Sequence, residues 1–193
     1  MLMQKKLFQG LKATAIVLLI AVASGCASDS SDSQNRSAGS YIDDKVINHK
    51  VVSAIEEASP ILADSHFDVY SFNGSVLLVG QLPSEDLRAL AAQTAANVQN
   101  VRRVYNETTV GPNIGFAAHA SDAAITSKVK SQLWAQESIK DSHMVVLTES
   151  GVVYLMGIVS REQADLAAKV AQNIDGVQKV VRLFEYLGES QNN

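Results

Sequence analysis

The sequence after Ser40 contains an internal repeat, and this feature constrains the fold more than any other. Sliding the region against itself by 76 to 78 residues aligns Asp44 with Asp122 and the apolar run 76–80 with 153–157. Two copies predict tandem domains, whereas a solenoid needs at least three stacked repeats. A domain of about 65 residues buries only about 60% of its unfolded surface and is marginally stable alone. We therefore expect the two domains to touch.

Each copy predicts the order helix, strand, strand, helix, strand, and hence an α+β fold. Apolar residues spaced four apart indicate an amphipathic opening helix. Glycine in Asn73-Gly74 and in Ser150-Gly151 supplies the positive φ that a tight hairpin turn needs. The second helices begin near Ser84 and Ser160, which are suitable N-caps. We expect two helices to cover one face of a small mixed sheet in each copy, with a strand order that the pattern leaves open.

The start of the chain predicts an export signal that ends at a lipidated cysteine. Three lysines precede or open the uncharged stretch 13–23, which is too short for a bilayer that needs about 20 residues. Cys26 is the only cysteine, and Ser24-Gly25 before it resembles the lipobox of bacterial lipoproteins, in which the cysteine is acylated. The alternative is an ordinary signal followed by a chance cysteine. By the same resemblance, Ala27 lacks the signal for inner-membrane retention, which implies the periplasmic face of the outer membrane.

Composition indicates the boundaries in the rest of the chain and the distribution of its charge. Residues 27–40 contain six serines and no large apolar residue, which predicts a flexible tether. Without the signal the chain has 13 basic and 20 acidic residues, so nucleic acid is excluded as a partner. The region 41–111 has 5 basic and 9 acidic residues, whereas 120–187 has 7 and 8. The predicted divisions are a signal (1–25), a lipidated tether (26–40), a first domain (41–111), a connection (112–119), a second domain (120–188) and a tail (189–193).

The polar residues give little support for catalysis. Asp64-Ser65-His66 recurs at 141–143, but on a strand the aspartate and histidine would face away from the serine, which excludes a local triad. The four histidines lack the spacing of a metal site, and no phosphate-binding loop occurs. We interpret Asp43 and Asp44 as solvated helix charges. The sequence thus predicts a non-enzyme with no metal, no small-molecule substrate and no cofactor beyond the lipid on Cys26.

The single tryptophan is the most informative side chain. On a helical wheel that starts at Ile125, Trp134 lies about 180° from the apolar stripe, beside Lys130 and Ser127. An outward tryptophan near lysines is typical of a helix that lies in a membrane interface. The alternative is that Trp134 packs against the first domain. The first copy has Glu56 at this position, which an anionic membrane would repel.

The repeat also resembles a known domain. Val76-Leu77-Leu78-Val79-Gly80 with Ser84-Glu85, and Ile174-Asp175-Gly176-Val177 in the second copy, resemble the BON domain over residues 44–187. A lipobox before two such copies resembles the dual-BON outer-membrane lipoproteins. The resemblance implies a non-enzymatic protein that binds anionic phospholipid, is recruited to division sites and supports outer-membrane integrity. It also implies that the first helix of the second domain contacts lipid.

The predicted membrane contact therefore lies on and just before that helix. Ala124 stands where relatives can carry an aromatic residue, so the hydrophobic contribution must come from other positions. The residues proposed for the contact are Phe116, Ala124, Ser127, Lys128, Lys130 and Trp134. A second hypothesis is a protein adaptor for an outer-membrane assembly factor, with Trp134 as its main contact.

Overall fold

A computed structural model describes the backbone of residues 38–112, 115–139 and 143–188, with side chains from residue 43 onwards. The predictions for the signal, for Cys26, for the tether up to residue 37 and for the tail 189–193 lie outside these ranges.

The first domain contains the predicted elements and two more. Its elements are α1 (Ala38–Ala58), α2 (Pro60–Ala63), β1 (His66–Phe72), β2 (Ser75–Leu82), α3 (Glu85–Ala96), β3 (Arg103–Asn106) and β4 (Thr109–Val110). The second domain consists of α4 (Phe116–Trp134), β5 (Met144–Glu149), β6 (Val152–Val159), α5 (Arg161–Gln172) and β7 (Lys179–Tyr186). The α+β order helix, strand, strand, helix, strand is confirmed in both copies. The short α2 and β4 were not predicted.

Both sheets are mixed, and the second strand of each hairpin is central. In the first domain β2 pairs antiparallel with β1 and parallel with β3 and β4. In the second domain β6 pairs antiparallel with β5 and parallel with β7. Side chains from the helices and from one face of each sheet form two separate cores, one per domain. The predicted covering of one sheet face by two helices is confirmed.

Two predicted boundaries differ from the structure. Helix α1 begins at Ala38, so the last three residues assigned to the tether are helical. Helix α4 begins at Phe116 with Gly115 as its N-cap, so four residues assigned to the connection are helical. Once a helix is nucleated, each further residue adds one hydrogen bond. Extension into flanking residues that contain no proline is therefore favourable, and composition alone placed both starts too late.

A buried aspartate ties each opening helix to the hairpin turn. Asp44 is 4% exposed, and its carboxylate accepts hydrogen bonds from the Ser71 hydroxyl at 2.9 Å and from the backbone N–H groups of Asn73 and Gly74 at 2.8 and 3.0 Å. Asp122 accepts the equivalent N–H groups of the second turn at 2.8 and 2.9 Å. The interpretation of Asp44 as a solvated charge was wrong. Turn residues with φ of 51° and 74° direct their N–H groups at the carboxylate in both copies.

The two sheets pack against each other through the faces that their helices leave uncovered. This confirms the expected contact between the domains. The buried residues of this layer are Phe72, Leu77, Val79, Leu147, Tyr154, Met156 and Leu183. Every residue of β2 is buried, because its side chains meet helices on one side and the second sheet on the other. Burial of each large apolar side chain stabilises the docked arrangement by about 1.5–3 kcal/mol.

Glu185 and Glu149 join the domains at opposite ends of this layer. The Glu185 carboxylate accepts hydrogen bonds from the Asn73 amide at 2.9 Å, the Ser75 hydroxyl at 3.1 Å and the Arg102 guanidinium at 2.5 Å. The Glu149 carboxylate accepts a hydrogen bond from the Gln81 amide at 2.7 Å. Each partner belongs to the first domain, so these carboxylates fix the register of one sheet on the other.

The burial at this interface changes the acidity of two tyrosines. Burial raises the pKa of Tyr154 from 10.0 to about 12, and the charges of Glu107 and Glu149 act in the same direction. Burial also raises the pKa of Tyr70 to about 12, with smaller contributions from Asp68 and Glu149. In both cases a carboxylate of the other domain contributes. Loss of either hydroxyl proton would therefore oppose docking of the domains.

Candidate functional site: the exposed face of helix α4

Helix α4 carries exposed aromatic side chains at both ends. Phe116 is 88% exposed and Trp134 is 56% exposed. They are 18 residues apart, which is about five turns or about 27 Å along the helix, so both lie on the same side. Isolated exposed apolar residues are common. Two large ones aligned at the ends of a single helix form an extended surface.

The exposed residues between them are small or uncharged, with one exception. They are Ala117, Ala120, Ser121, Ala123, Ala124, Ser127, Lys128, Ser131 and Gln132. Lys128 is the only charged side chain in this set. Asp122, the only acidic residue in α4, is 6% exposed and is occupied by the hairpin turn. We call this surface, including Phe116 and Trp134, the α4 face.

The opposite side of α4 fixes the orientation of this face. Ile125, Val129 and Leu133 are buried in the core of the second domain at spacings of four residues. The hydroxyl of Thr126 donates a hydrogen bond to the Thr148 hydroxyl of β5 at 2.8 Å. The helix is thus anchored along its length, and the α4 face is held outward by the apolar periodicity of the sequence.

A polar hollow of about 480 Å³ adjoins the α4 face. It lies between α4 and the segment that follows α5. Ser127, Ser131 and Lys128 line one side, and Asn173 and Asp175 line the other. Hydroxyl, ammonium and amide groups can donate hydrogen bonds to an anion. The Asp175 carboxylate lies on the side of the hollow away from α4.

The corresponding helix of the first domain has a different surface. At the positions equivalent to Trp134 and its neighbour, α1 carries Glu56 and Glu57, and both are exposed. Among residues 43–58 of α1, the exposed large apolar residue is Val46, at 47%. The same fold therefore presents an acidic helix in one copy and an acid-free helix face in the other.

Comparison with known proteins identifies the repeat. Two stretches of the chain, residues 43–112 and 121–188, match the BON domain. The chain belongs to the BON-domain family. It is 40% identical to the outer membrane lipoprotein DolP of Haemophilus influenzae over 152 residues, which are 79% of this chain and 79% of the relative.

Two further relatives are similar over nearly the same length. The chain is 37% identical to the 21 kDa hemolysin of Actinobacillus pleuropneumoniae, covering 79% of this chain and 78% of the relative. It is 31% identical to the osmotically-inducible protein Y of Escherichia coli, covering 77% and 75%. The chain is thus a dual-BON envelope protein that is similar to DolP.

The structure brings most of the predicted contact residues together on the second BON domain. Phe116, Ala124, Ser127, Lys128 and Trp134 are exposed on α4, whereas Lys130 is half-buried. The helical wheel placed Lys130 beside Trp134, but Lys128 is the more accessible cation. Trp134 is 56% exposed, so more than half of its surface is not covered by the first BON domain.

Sequence reasoning missed Ser131, Gln132 and Asn173, which adjoin Lys128 in the polar hollow. Ser131 could have been found by marking every acid-free position on the outward arc of the wheel. Gln132 falls beside Ile125 on that wheel, yet it is exposed in the structure. Asn173 follows α5, and no local pattern relates it to α4. Its proximity depends on how α4 and α5 pack on one sheet.

In the first copy of the Asp-Ser-His segment, Asp64 and Ser65 precede strand β1 and only His66 lies on it. Asp141 and Ser142 of the second copy lie outside the described residues. Ser59 caps the short helix α2, Pro60 occupies its first turn, and Asp64 forms its C-cap. The Ser65 hydroxyl donates a hydrogen bond to the Ile61 carbonyl at 2.6 Å. Proline at the start of a helix is favourable, because its missing N–H would be unpaired there in any case.

The described part of the chain contains no group of three or more histidine, cysteine, aspartate or glutamate side chains placed to hold a metal ion. Within the same residues, no helix combines the length and the apolar character needed to cross a bilayer.

Proposed function

We propose that this protein is an outer-membrane-anchored periplasmic lipoprotein that binds anionic phospholipid through the α4 face of its second BON domain. The α4 face carries the proposal, because it is an exposed surface about 27 Å long that lacks acidic side chains. The chain as a whole is acidic, with a formal charge of -4. A surface that an anionic membrane does not repel is therefore a specific feature of this helix.

The side chains of the α4 face have the chemistry of a membrane interface. Aromatic rings concentrate at the level of lipid headgroups, and amphipathic helices lie there with their apolar residues inserted. A lysine near an anionic surface contributes roughly 1 kcal/mol. Phe116 and Trp134 provide the rings, and Lys128 provides the cation. A contact of this strength is weak alone, but tethering to the same membrane raises the effective concentration.

The polar hollow beside the α4 face suits the phosphate of a lipid headgroup. Ser127, Lys128 and Ser131 would donate hydrogen bonds to phosphate oxygens, while acyl chains lie along the small residues of α4. The Asp175 carboxylate in the same hollow would repel phosphate. The proposal therefore places the phosphate on the α4 side.

The anchor in this proposal is an acylated Cys26. Several buried acyl chains give a stable attachment, since each methylene contributes about 0.8 kcal/mol. Mass spectrometry of the membrane-extracted protein should find a chain that starts at Cys26 and carries acyl mass. An unmodified chain that starts elsewhere would exclude the anchor.

The cellular part of the proposal is support of outer-membrane integrity, with enrichment at division sites and without catalysis. It is consistent with the similarity to a relative named as an outer membrane lipoprotein. A fluorescent fusion should concentrate at the septum, and deletion should increase sensitivity to detergents. Uniform distribution around the cell would remove the division-site component alone.

Liposome co-sedimentation of the chain from Ala27 onwards tests lipid binding without the anchor. The variant that combines Trp134→Ala with Lys128→Glu should bind vesicles rich in phosphatidylglycerol at least tenfold more weakly. A loss of 1.4 kcal/mol corresponds to tenfold, and the two changes together should exceed it. Neutral vesicles should bind little of either protein.

A matched control exists in the first BON domain. Val46→Ala with Lys50→Glu removes one exposed apolar side chain of α1 and reverses an exposed lysine at the position equivalent to Lys128. This variant has the same net charge as the test variant and should bind like the parent protein. Equal losses in both variants would indicate a general charge effect. If binding requires an outer-membrane protein extract and lipid alone is not bound, the adaptor hypothesis replaces the lipid hypothesis.

A further inference from the structure

Two histidines from different BON domains meet at the surface between them. His66 is the first residue of β1, and His119 lies in the first turn of α4. Their ring centroids are 4.7 Å apart, and the ring planes are inclined by 63°. Both side chains are partly buried, whereas His49 and His143 are exposed. The two residues are 53 positions apart in the sequence, so no spacing rule relates them.

The separation of the two rings matches shared coordination of one metal ion. A zinc–nitrogen bond is about 2.0–2.1 Å long, so the centre of a ligating imidazole lies about 3.2 Å from the metal. Two such rings would be about 4.5 Å apart at a ligand angle of 90° and about 5.2 Å apart at the tetrahedral angle. The observed centroid distance lies between these values. The spacing of the rings therefore suits a shared metal when one nitrogen of each ring faces the ion.

We propose that His66 and His119 form a two-histidine site for a divalent transition metal of the zinc, nickel and copper class. Imidazole nitrogen is a preferred ligand for these ions, and their usual order of affinity places copper first. The described residues offer no third histidine, cysteine or acidic ligand to complete a group of three. Water then fills the remaining positions, so the metal is exchangeable.

The backbone around both histidines is well fixed, which favours a preformed site. The His66 carbonyl lies so close to Gly80 of β2 that a Cβ atom there would approach it to 2.5 Å. His119 donates its backbone N–H to the carbonyl of Gly115, the N-cap of α4. Each ligand thus belongs to a regular element, and the relative position of the ligands depends on the docking of the two BON domains.

The site would couple metal binding to domain docking. A metal that binds the docked arrangement stabilises it by mass action, because each separated domain offers only one histidine of the pair. His119 also lies one turn after Phe116, so the metal would hold the start of the α4 face against the first BON domain. The proposal does not require that the α4 face binds lipid.

Isothermal titration of the untagged full chain in detergent with CuCl₂ and with ZnCl₂ tests the site. We expect one ion per chain, with copper bound more tightly than zinc. His66→Gln and His119→Gln should each weaken binding at least tenfold. His49→Gln and His143→Gln, the matched controls, should leave the affinity unchanged.

A measurement on the unaltered protein removes any dependence on how the variants fold. Substoichiometric CuCl₂ should broaden the imidazole proton signals of His66 and His119 in NMR spectra before those of His49 and His143. Equal broadening of all four histidines, or equal affinity of all four variants, would reduce the pair to an aromatic contact and overturn the proposal.

Discussion

Replacing Gly80 by alanine probes the closest approach between two strands of the first BON domain. Gly80 lies in β2 opposite Phe67 of β1, with φ of +115°. An added Cβ would lie 2.5 Å from the His66 carbonyl oxygen and 2.8 Å from the Phe67 Cα. Both obstacles are backbone atoms, so no side-chain rotation relieves the clash.

The expected cost follows from two separate effects. A non-glycine residue held in a sparsely populated backbone region costs about 1–3 kcal/mol. Overpacking of a tight site costs about 1–3 kcal/mol more. We therefore expect Gly80→Ala to lower the free energy of unfolding by about 2–6 kcal/mol, against a total of about 5–15 kcal/mol for a typical protein.

Urea unfolding of the chain from Ala27 onwards, followed by circular dichroism, measures this loss. The equivalent Gly157 has a Cβ position 2.9 Å from the His143 carbonyl oxygen but no positive φ, so Gly157→Ala should cost less. Gly111→Ala is the control, because nothing lies within 4 Å of its Cβ position. The reasoning fails if Gly80→Ala stays within about 0.5 kcal/mol of the parent, the range of an ordinary surface change.

Three further predictions concern the interface and the turns. Glu185→Gln weakens the contact with Arg102, and because that arginine is 48% exposed, urea unfolding should show a loss of only about 1 kcal/mol. The free energy of unfolding should fall between pH 10 and pH 12, because the unfolded chain loses the Tyr154 proton near pH 10 and the folded chain near pH 12. Tyr154→Phe should reduce that slope by up to about 1.4 kcal/mol per pH unit. Asp122→Asn should lower the free energy of unfolding by about 1–3 kcal/mol and speed hydrogen exchange at Gly151. The reason is that the buried carboxylate oxygen that accepts the Gly151 N–H is replaced by a weaker acceptor.

Each of these predictions has a result that contradicts it. For the ion pair the control is Asp165→Asn, because Asp165 is 76% exposed whereas Glu185 is 15% exposed. Equal losses of stability in both variants would mean that Glu185 contributes no more than a surface ion pair. The free energy of unfolding could also fall with the same slope above pH 10 in the parent and in Tyr154→Phe. That result would mean that Tyr154 does not contribute to the alkaline loss of stability. Unchanged exchange at Gly151 in Asp122→Asn would mean that the carboxylate does not hold the turn.

The sequence predicted some parts of the proposed membrane contact and not others. The helical period placed Trp134 outward, because Ile125, Val129 and Leu133 had to face the core. The same wheel favoured Lys130 over Lys128, whereas Lys128 is the more exposed of the two, since side-chain exposure also depends on neighbouring elements. The absence of exposed acids on α4 became evident only when Asp122 proved to be buried.

The order of elements, the hairpin turns and the duplication were determined by the sequence alone. Each depends on local rules, namely apolar periodicity, the positive φ of Gly74 and Gly151, and the alignment of one copy with the other. Strand β2 is apolar on both faces, which predicts that both faces are buried. The pattern does not show which elements cover them. Only the tertiary structure decided that the two sheets cover each other, and that His66 thereby meets His119. Contacts between residues far apart in sequence depend on the packing of whole surfaces, which no local pattern encodes.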